Sequence, residues 1–323
     1  DMMTMAQHFL LSAAARTLSL VKVMRMSDDA AYEAFKAIRW DDNEGEPYCP
    51  KCGCVAGYTY PARKIFKCKG CEAQFTVTSG TIFASRKLAI RDILAAIAIF
   101  TNGAKGYSAL QLSRDLDIQY KTAFVMAHKL REALGKASDR SILSGDVEVD
   151  GAYFGGYVKP ANEVENRRDL RKKANQSGKR QVVVVMRERD GRALPFVTKT
   201  EAAGVAFVRE FVHADATVHA DEASHWDALG IKYNTKRINH SEAYSLDGAC
   251  TNMAESFFSR IRRSEFGIHH HIAGRYLDNY ANEMAWRENH RRVSNGEQFM
   301  AIVGAALDHP VSRQWKGYWQ RAA

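Results

Sequence analysis

The sequence lacks any apolar run long enough to cross a membrane. No stretch reaches the roughly 20 unbroken apolar residues that a spanning helix needs. The most apolar N-terminal stretch, Phe9 to Met26, is interrupted by Arg16 and Lys22. It predicts a helix with one apolar face rather than an export signal. A hydrophobic fraction of 46% is typical of folded chains. We therefore expect a folded protein without a membrane partner, located in the cytoplasm.

Cysteine is also scarce outside one short region, which excludes a disulfide framework. The chain has 6 cysteines, and Cys250 lies far from the other five. Paired cysteines two residues apart, in a chain without an export signal, indicate metal binding in a reducing compartment.

The clustered cysteines have the spacing of a zinc ribbon. Cys49 and Cys52 form one CxxC pair, fifteen residues follow, and Cys68 and Cys71 form the second pair. Two such pairs complete the tetrahedral shell that Zn²⁺ prefers, and four thiolates leave no position for water. The spacing therefore predicts a structural zinc ion. Cys54 is an alternative to Cys52, although the CxxC geometry favours Cys52. Ribbons of this kind bind DNA, RNA or protein.

Acidic residues are outnumbered by basic ones, 37 to 46, which gives a net charge of +9. An excess of cations favours a polyanionic partner, because cations that neutralise phosphates release condensed counterions. The alternative is a basic but otherwise ordinary soluble protein.

The region after the cysteines predicts a helix-turn-helix. A helix over Leu88–Phe100 precedes two segments of helical periodicity, Ser108–Leu116 and Tyr120–Leu134, which are joined by three residues. The second segment would be the recognition helix, and the alternative is a plain helical hairpin. We expect base contacts near its start, from Gln119, Tyr120, Lys121 and Thr122. Phosphate contacts are expected further along the helix, from Lys129 and Arg131.

From Gly145 onward the pattern changes to strands alternating with helices. Strands are predicted over 146–150, 181–187 and 193–199, the last two forming a hairpin, followed by a helix over 202–212, a strand over 216–220 and a helix around Trp226. This order predicts an α/β domain with a mixed sheet and an RNase H-like fold. Asp146, Glu148 and Asp150 alternate onto one face of the first strand.

Three carboxylates stand at matching places in this pattern. Asp150 and Asp221 each end a predicted strand, and Glu255 lies on a predicted amphipathic helix over Asn252–Arg263. Arg262 is two turns beyond Glu255 on the same helix face. Three convergent carboxylates can hold two Mg²⁺ ions for chemistry at a phosphodiester, with Arg262 positioned to neutralise a phosphate oxygen.

Most of the chain resembles the DDE transposases of bacterial insertion sequences that carry an N-terminal zinc ribbon. The matching segments are CPKCG with CKGC, VEVDGAYFGG at 147–156, HADE at 219–222, INHSE at 238–242, NMAESFFSRIRRSEFG from Asn252, and His269 to His271. The resemblance implies an RNase H-like catalytic domain, catalysis with Mg²⁺ or Mn²⁺, and transposition of the encoding element. Members vary at the third acid and usually carry Lys two turns later, where this chain has Arg262. Both Asn252 and Glu255 are thus candidates for the metal site, and Glu255 is favoured because a charged carboxylate binds Mg²⁺ better than an amide.

Other polar segments have two interpretations each. His240 supports the active site or is a structural histidine, and the run His269–His271 touches DNA or lies on a polar surface. The basic insertion 158–180 orders on DNA through Arg167, Arg168, Arg171, Lys172 and Lys173, or remains a solvated loop.

The sequence therefore predicts a multidomain transposase. We expect a helical segment at 1–45, a zinc ribbon at 46–80, the helix-turn-helix region at 81–143 and the catalytic domain at 144–312. Its partners would be double-stranded terminal inverted repeats and target DNA, bound by a homodimer associated with the nucleoid. The rival hypotheses are a DNA-binding regulator with a silent nuclease-like domain, and an RNase H-like nuclease without strand transfer.

Overall fold

The computed structural model describes residues 9–156, 159–169, 172–175, 178–238, 248 and 250–318. The chain forms two compact units, one from the residues up to Ala137 together with those from His290 onward, and the other from Ser138–Asn289. The strands are β1 Gly57–Tyr60, β2 Ile65–Cys68, β3 Gln74–Phe75, β4 Asp146–Phe154, β5 Gln181–Glu188, β6 Ala193–Thr198, β7 Thr217–Asp221 and β8 Asn234–Ile238.

The α-helices are distributed over both units. They are α1 Leu20–Met24, α2 Asp28–Arg39, α3 Ile90–Asn102, α4 Ala109–Asp115, α5 Tyr120–Ala137, α6 Gly204–Phe211, α7 Asn252–Ser264, α8 Leu277–Asn289 and α9 Asn295–Asp308. Of the helices that the structure describes, none combines the length and the apolar character needed to span a bilayer.

The N-terminal stretch differs from the single helix predicted over Phe9–Met26. Two short 3-10 turns, Phe9–Leu11 and Ala13–Ala15, precede α1. The Ser12 hydroxyl donates to the Phe9 carbonyl, and the backbone N–H groups of Thr17 and Leu18 both donate to Asn295 Oδ1 at 2.8 Å. These N–H groups are therefore not available for a continuous helical ladder.

The three strands β1–β3 form a small antiparallel sheet beside the cysteines. Trp40, which follows α2, is 1% exposed. Its ring meets the rings of Phe66 and Phe75 edge-on, at 5.7 and 6.5 Å between centroids. Such a small sheet has too little apolar surface for a core of its own, so the tryptophan from α2 completes it.

The rest of the first unit is a helical bundle around α3. Nearly every residue of α3 from Ile90 to Thr101 is buried, and the helix packs against α1, α2, α5 and α9. Helices α4 and α5 follow at the predicted helix-turn-helix positions, with residues 116–119 between them. Helix α9 belongs to this unit, whereas the sequence pattern extends the catalytic domain to residue 312.

The second unit is built on a five-stranded mixed sheet of order β6-β5-β4-β7-β8. Strand β5 is antiparallel to both of its neighbours, β4 and β6, whereas β7 is parallel to both of its neighbours, β4 and β8. This confirms the predicted mixed sheet and is consistent with an RNase H-like fold. One face packs with α6 around Val147, Val149 and Trp226, and α7 and α8 contact β4, β5 and β6.

Two connecting elements differ in type from the prediction. The segment expected as one helix over 202–212 is a 3-10 turn, Glu201–Ala203, followed by α6. The helix expected around Trp226 is a 3-10 stretch, Ser224–Leu229.

Strand β8 was not predicted, because its polar sequence NTKRI is only partly buried and gives no apolar alternation.

Replacing Trp40 with alanine should destabilise the first unit by about 3–5 kcal/mol, because it leaves a cavity between α2 and the small sheet. Urea unfolding followed by far-ultraviolet circular dichroism measures the loss. Tyr58→Ala is the matched control, since Tyr58 is 55% exposed and should change stability far less. Equal losses for the two variants would contradict this account of the core.

Candidate active site and metal centre

Asp150 and Asp221 lie side by side on neighbouring strands. The parallel pairing of β4 with β7 ends at Val149 and Ala220, so each aspartate is the next residue beyond the last pair. The prediction that Asp150 ends its strand is wrong, because β4 continues to Phe154 in pairing with β5. Strand β7 is the strand that ends at this position, at Asp221. Both carboxylates therefore lie at the carboxyl end of the parallel pair of β4 and β7.

The segment after Asp221 is held by the neighbouring strand β8. Arg237 donates to the backbone carbonyls of Asp221 and Ala223, at 2.6 and 2.7 Å. The Asp221 carboxylate accepts a hydrogen bond of 3.1 Å from the Ala223 N–H. The Asp221 side chain is thus oriented by its own loop, and that loop is fixed by an arginine.

Helix α7 carries the third predicted acid toward Asp150. Ala254, Phe257, Phe258 and Ile261 are buried on one side of the helix, as the apolar stripe predicts, and Met253 is only half-buried. Helix α7 packs against β4, and the charge of Glu255 is one of the smaller contributions that raise the pKa of Asp150.

The other two candidates on α7 lie differently. Asn252 is exposed at the first position of the helix. The Arg262 guanidinium lies 5.8 Å from the ring centroid of Phe154 in β4, which puts it against the strand that carries Asp150.

The sequence reasoning missed a fourth carboxylate, that of Glu201. A Cβ on Gly151 would stand 2.6 Å from Glu201 Cγ, so the glycine after Asp150 leaves the space that the Glu201 side chain fills. The charges of Glu201 and Asp150 interact, and Glu201 Oε2 lies 3.6 Å from His225 Nε2. The available signal was its place between a strand and the following helix, directly after β6.

Burial and neighbouring charges shift the pKa values of two of these acids, Asp150 and Glu201. Burial, with the nearby charges of Asp221, Glu201 and Glu255, raises the pKa of Asp150 to about 7, although the Gly151 N–H opposes the shift. Burial and the charge of Asp221 also raise the pKa of Glu201, while Arg180 lowers it. Excess negative charge on carboxylate oxygens is the environment that Mg²⁺ or Mn²⁺ favours, so these residues fit divalent cations.

Among the described residues, the carboxylates are spaced more widely than the donors of one closed metal shell. The group of potential ligands whose donor atoms all lie within 4.8 Å of one another consists of cysteines, not of these acids. A pair of ions about 3.5–4 Å apart requires ligands distributed over a larger span than a single ion does. The wider spacing is therefore compatible with a two-ion site.

The cysteine cluster is Cys49, Cys52, Cys68 and Cys71. Cys49 Sγ lies 3.6 Å from Cys71 Sγ, and Cys52 Sγ lies 3.6 Å from Cys68 Sγ. This is the predicted ligand set. Cys54 lies outside it, with its Sγ directed at the Ala56 carbonyl at 3.6 Å.

Backbone amides support the thiolate form of Cys68. The N–H groups of Cys71 and Gly70 point at Cys68 Sγ, at 3.4 and 3.2 Å, and they lower the pKa of Cys68 to about 6. Gly53 has a φ of +74°, a left-handed turn after Cys52 that a residue without Cβ adopts without strain. The cluster is thus suited to a metal ion such as Zn²⁺.

The start of α5 presents the predicted DNA-contacting residues beside a cavity of about 440 Å³. Gln119, Tyr120 and Lys121 are exposed, and Thr122 and Lys129 are half-buried. All except Tyr120 line this cavity, which Arg86 and Lys87 also line. Burial lowers the pKa of Lys129. The cations around the cavity make it suited to an anionic partner.

Arg131 does not serve as an exposed phosphate contact. It is 1% exposed, lies over the Phe100 ring and donates to the Tyr107 carbonyl at 3.5 Å. Its position four residues after buried Ala127 and three before buried Leu134 puts it on the inner face of α5.

Most described residues of the basic insertion are exposed, whereas Asn175 and Arg180 are half-buried. Arg167 donates to the Ala161 carbonyl at 3.2 Å, and Arg168 and Lys172 are exposed. Arg171 and the side chain of Lys173 lie outside the described residues, as do His240 and most of the INHSE segment. His269 packs edge-on against Tyr280 at 4.7 Å, and His270 and His271 are exposed.

The raised pKa of Asp150 predicts a pH-dependent stability. The folded protein binds this proton at a pKa of about 7 and the unfolded chain at 3.8, so the contribution of Asp150 to folding falls as pH rises between those values. In buffer without Mg²⁺ or Mn²⁺, Asp150→Asn should gain on the order of 2 kcal/mol relative to wild type between pH 5 and pH 8. Urea unfolding at both pH values tests this, and a constant difference would contradict it.

Two regions of the chain match known protein families. Residues 142–289 match the ISXO2-like transposase domain, and residues 26–74 match the transposase zinc-ribbon domain. A protein from Halobacterium salinarum, described as an uncharacterized protein in transposable element ISH50, is 23% identical over 295 residues, which cover 87% of this chain and 98% of that protein. No solved structure matches the chain. The chain thus carries a region similar to a transposase zinc-ribbon domain followed by a region similar to an ISXO2-like transposase domain.

Proposed function

We propose that this protein binds the terminal inverted repeats of its insertion sequence, hydrolyses DNA at both ends of the element, and joins the freed 3′-hydroxyls to target DNA. The observation that carries the proposal is the juxtaposition of Asp150 and Asp221 on parallel strands with Glu255 on α7. Hydrolysis and joining are both in-line displacements at phosphorus, so one site can perform both with water or a 3′-hydroxyl as nucleophile.

In this proposal Asp150, Asp221 and Glu255 hold two divalent cations, Mg²⁺ or Mn²⁺, and Glu201 adds a fourth carboxylate. The cations supply activation of the attacking oxygen and stabilisation of the leaving oxygen. Glu255 is preferred over Asn252 because its charge acts on Asp150, whereas Asn252 is exposed at the first position of α7. Arg262, beside Phe154, neutralises a phosphate oxygen of the bound strand.

The cysteine cluster holds a structural Zn²⁺ ion. Four sulfur donors within 4.8 Å of one another fit the tetrahedral shell of zinc and leave no open position for catalysis. The ion would stabilise the ribbon, whose short strands otherwise depend on Trp40.

The first unit binds double-stranded DNA through α5. Exposed Gln119, Tyr120 and Lys121 and half-buried Thr122 read base edges, and Arg86, Lys87 and Lys129 contact phosphates around the same cavity. Exposed cations of the basic insertion, including Arg167, Arg168 and Lys172, add phosphate contacts. Joining two ends of one element requires two active sites, so we propose a homodimer on DNA.

Substitution of the carboxylates should abolish the chemistry. We expect Asp150→Asn, Asp221→Asn and Glu255→Gln each to lower Mn²⁺-dependent cleavage and joining of labelled terminal-repeat DNA by at least about 10³-fold. Asn252→Ala should retain most activity. Glu222→Gln is the matched control, because Glu222 is exposed and adjacent to Asp221.

Three results would contradict parts of this proposal. Binding of terminal repeats without any cleavage by the wild type would support a regulator with a silent nuclease-like domain. Cleavage without joining would support an RNase H-like nuclease. Loss of activity in Asn252→Ala but not in Glu255→Gln would reassign the third ligand.

Removing cations near α5 should weaken DNA binding in a salt-dependent way. For Lys87→Ala combined with Lys121→Ala, the slope of log Kd against log salt should fall by about 1.8, or ~0.9 for each lost phosphate contact. Fluorescence anisotropy at several salt concentrations measures the slope. Lys22→Ala is the control, since Lys22 is exposed in α1 and does not line the cavity. If the control lowered the slope by as much for each lysine removed, the effect would come from the change in net charge rather than from phosphate contacts at α5.

A further inference from the structure

The first turn of α7 is capped by a residue of the neighbouring strand. Its N-cap residue, Thr251, makes no capping hydrogen bond with its side chain. Instead, the N–H groups of Met253 and Ala254 donate to Glu148 Oε2, at 2.8 and 3.2 Å. The first N–H groups of an α-helix have no acceptor within the helix, so Glu148 supplies from β4 what the local sequence does not.

Glu148 is held firmly in this role. It is 1% exposed, and its other oxygen, Oε1, accepts from Arg189 Nε at 3.1 Å and from Cys250 Sγ at 3.4 Å. A buried carboxylate is costly unless its charge and lone pairs are compensated. Arg189 and the positive end of the helix dipole provide that compensation.

Arg189 also holds the chain that leads into α7. Its Nη2 donates to the carbonyls of Gly248 and Cys250, at 3.1 and 3.4 Å, and lies 3.1 Å from His219 Nδ1. The other ring nitrogen of His219 lies 2.7 Å from Asp146 Oδ1. One network therefore joins β4, β7 and the entry to α7.

The register of β4 connects this cap to the acidic site. Glu148 precedes Asp150 by two residues, so both side chains project from the same face of the strand, about 7 Å apart along it. Glu255 follows the capped N–H of Ala254 by one residue. A single strand thus carries Asp150 and fixes the helix end that carries Glu255.

We propose that Glu148, supported by Arg189, is a positioning residue that anchors the first turn of α7 and thereby sets Glu255 relative to Asp150 and Asp221. Glu148 touches neither DNA nor metal in this proposal. The effect on metal binding rests on the proposed function of Glu255, whereas the anchoring of α7 does not.

Two measurements on the full-length protein test the proposal, amide hydrogen exchange in the native state and Mn²⁺ binding by calorimetry. In Glu148→Ala, the Met253 and Ala254 amides should exchange at least tenfold faster, and Mn²⁺ affinity should fall about 10–100-fold, as for residues that orient metal ligands. Glu148→Gln keeps one acceptor oxygen and should show intermediate values of both.

Glu188→Gln is the matched control for a general loss of stability. Glu188 lies on β5 and accepts backbone N–H bonds from Ser144 and Arg192. At a similar loss of stability, it should leave the amides of Met253 and Ala254 and the Mn²⁺ affinity unchanged.

Unchanged exchange at Met253 and Ala254 in Glu148→Ala would overturn the proposal. Faster exchange with unchanged Mn²⁺ affinity would overturn it too, because the cap would then not position Glu255. Absence of Mn²⁺ binding by the wild type would instead refute the proposed function. The exchange measurement would still decide whether Glu148 anchors α7, since it requires neither metal nor DNA.

Discussion

The parallel pairing of β4 with β7 sets the separation of Asp150 and Asp221, because residues in register on adjacent strands lie about 4.8 Å apart. Burial and, to a smaller extent, the charge of Asp221 both raise the pKa of Asp150, so holding the two carboxylates here is unfavourable when both are ionised. The opposite face of the same strands is fully buried, with Val147 and Val149 packed around the core. The free energy gained by burying the apolar face of these strands therefore offsets the free-energy cost of gathering carboxylates on the opposite face.

The two predicted metal sites differ in how far their ligands lie apart in sequence. The cysteine ligands follow from short-range spacing, since each CxxC pair closes its own turn, whereas the packing of Trp40 on the ribbon could not be predicted from that spacing. Asp150 and Asp221 were found because a strand pattern preceded each of them. The predicted length of β4 was wrong because residues 151–154 of this strand pair with β5 alone. The sequence pattern of β7 carries no information about that pairing.

Glu201 and Glu148 could not be identified in the same way, since their roles depend on tertiary contacts. Glu201 reaches the site through the space left by Gly151, and its place between a strand and a helix is one that surface glutamates also occupy. Glu148 was placed on the correct face of β4, but its acceptor role requires the first turn of α7 to lie against that face. Arg131 is the opposite case, because its charge predicted a phosphate contact, whereas its spacing from buried Ala127 and Leu134 puts it on the inner face of α5.

The proposed function requires a phosphate to approach a site with four carboxylates, which repel it. Bound divalent cations would reverse that repulsion. The cations at the start of α5 lie in the other compact unit, and the basic insertion precedes β5 within the second. Arg180, at the end of that insertion, lowers the pKa of Glu201 and lies over the Tyr153 ring at 4.4 Å. The insertion therefore delivers a fixed positive charge to the acidic site, where it partly offsets the repulsion that an incoming phosphate meets.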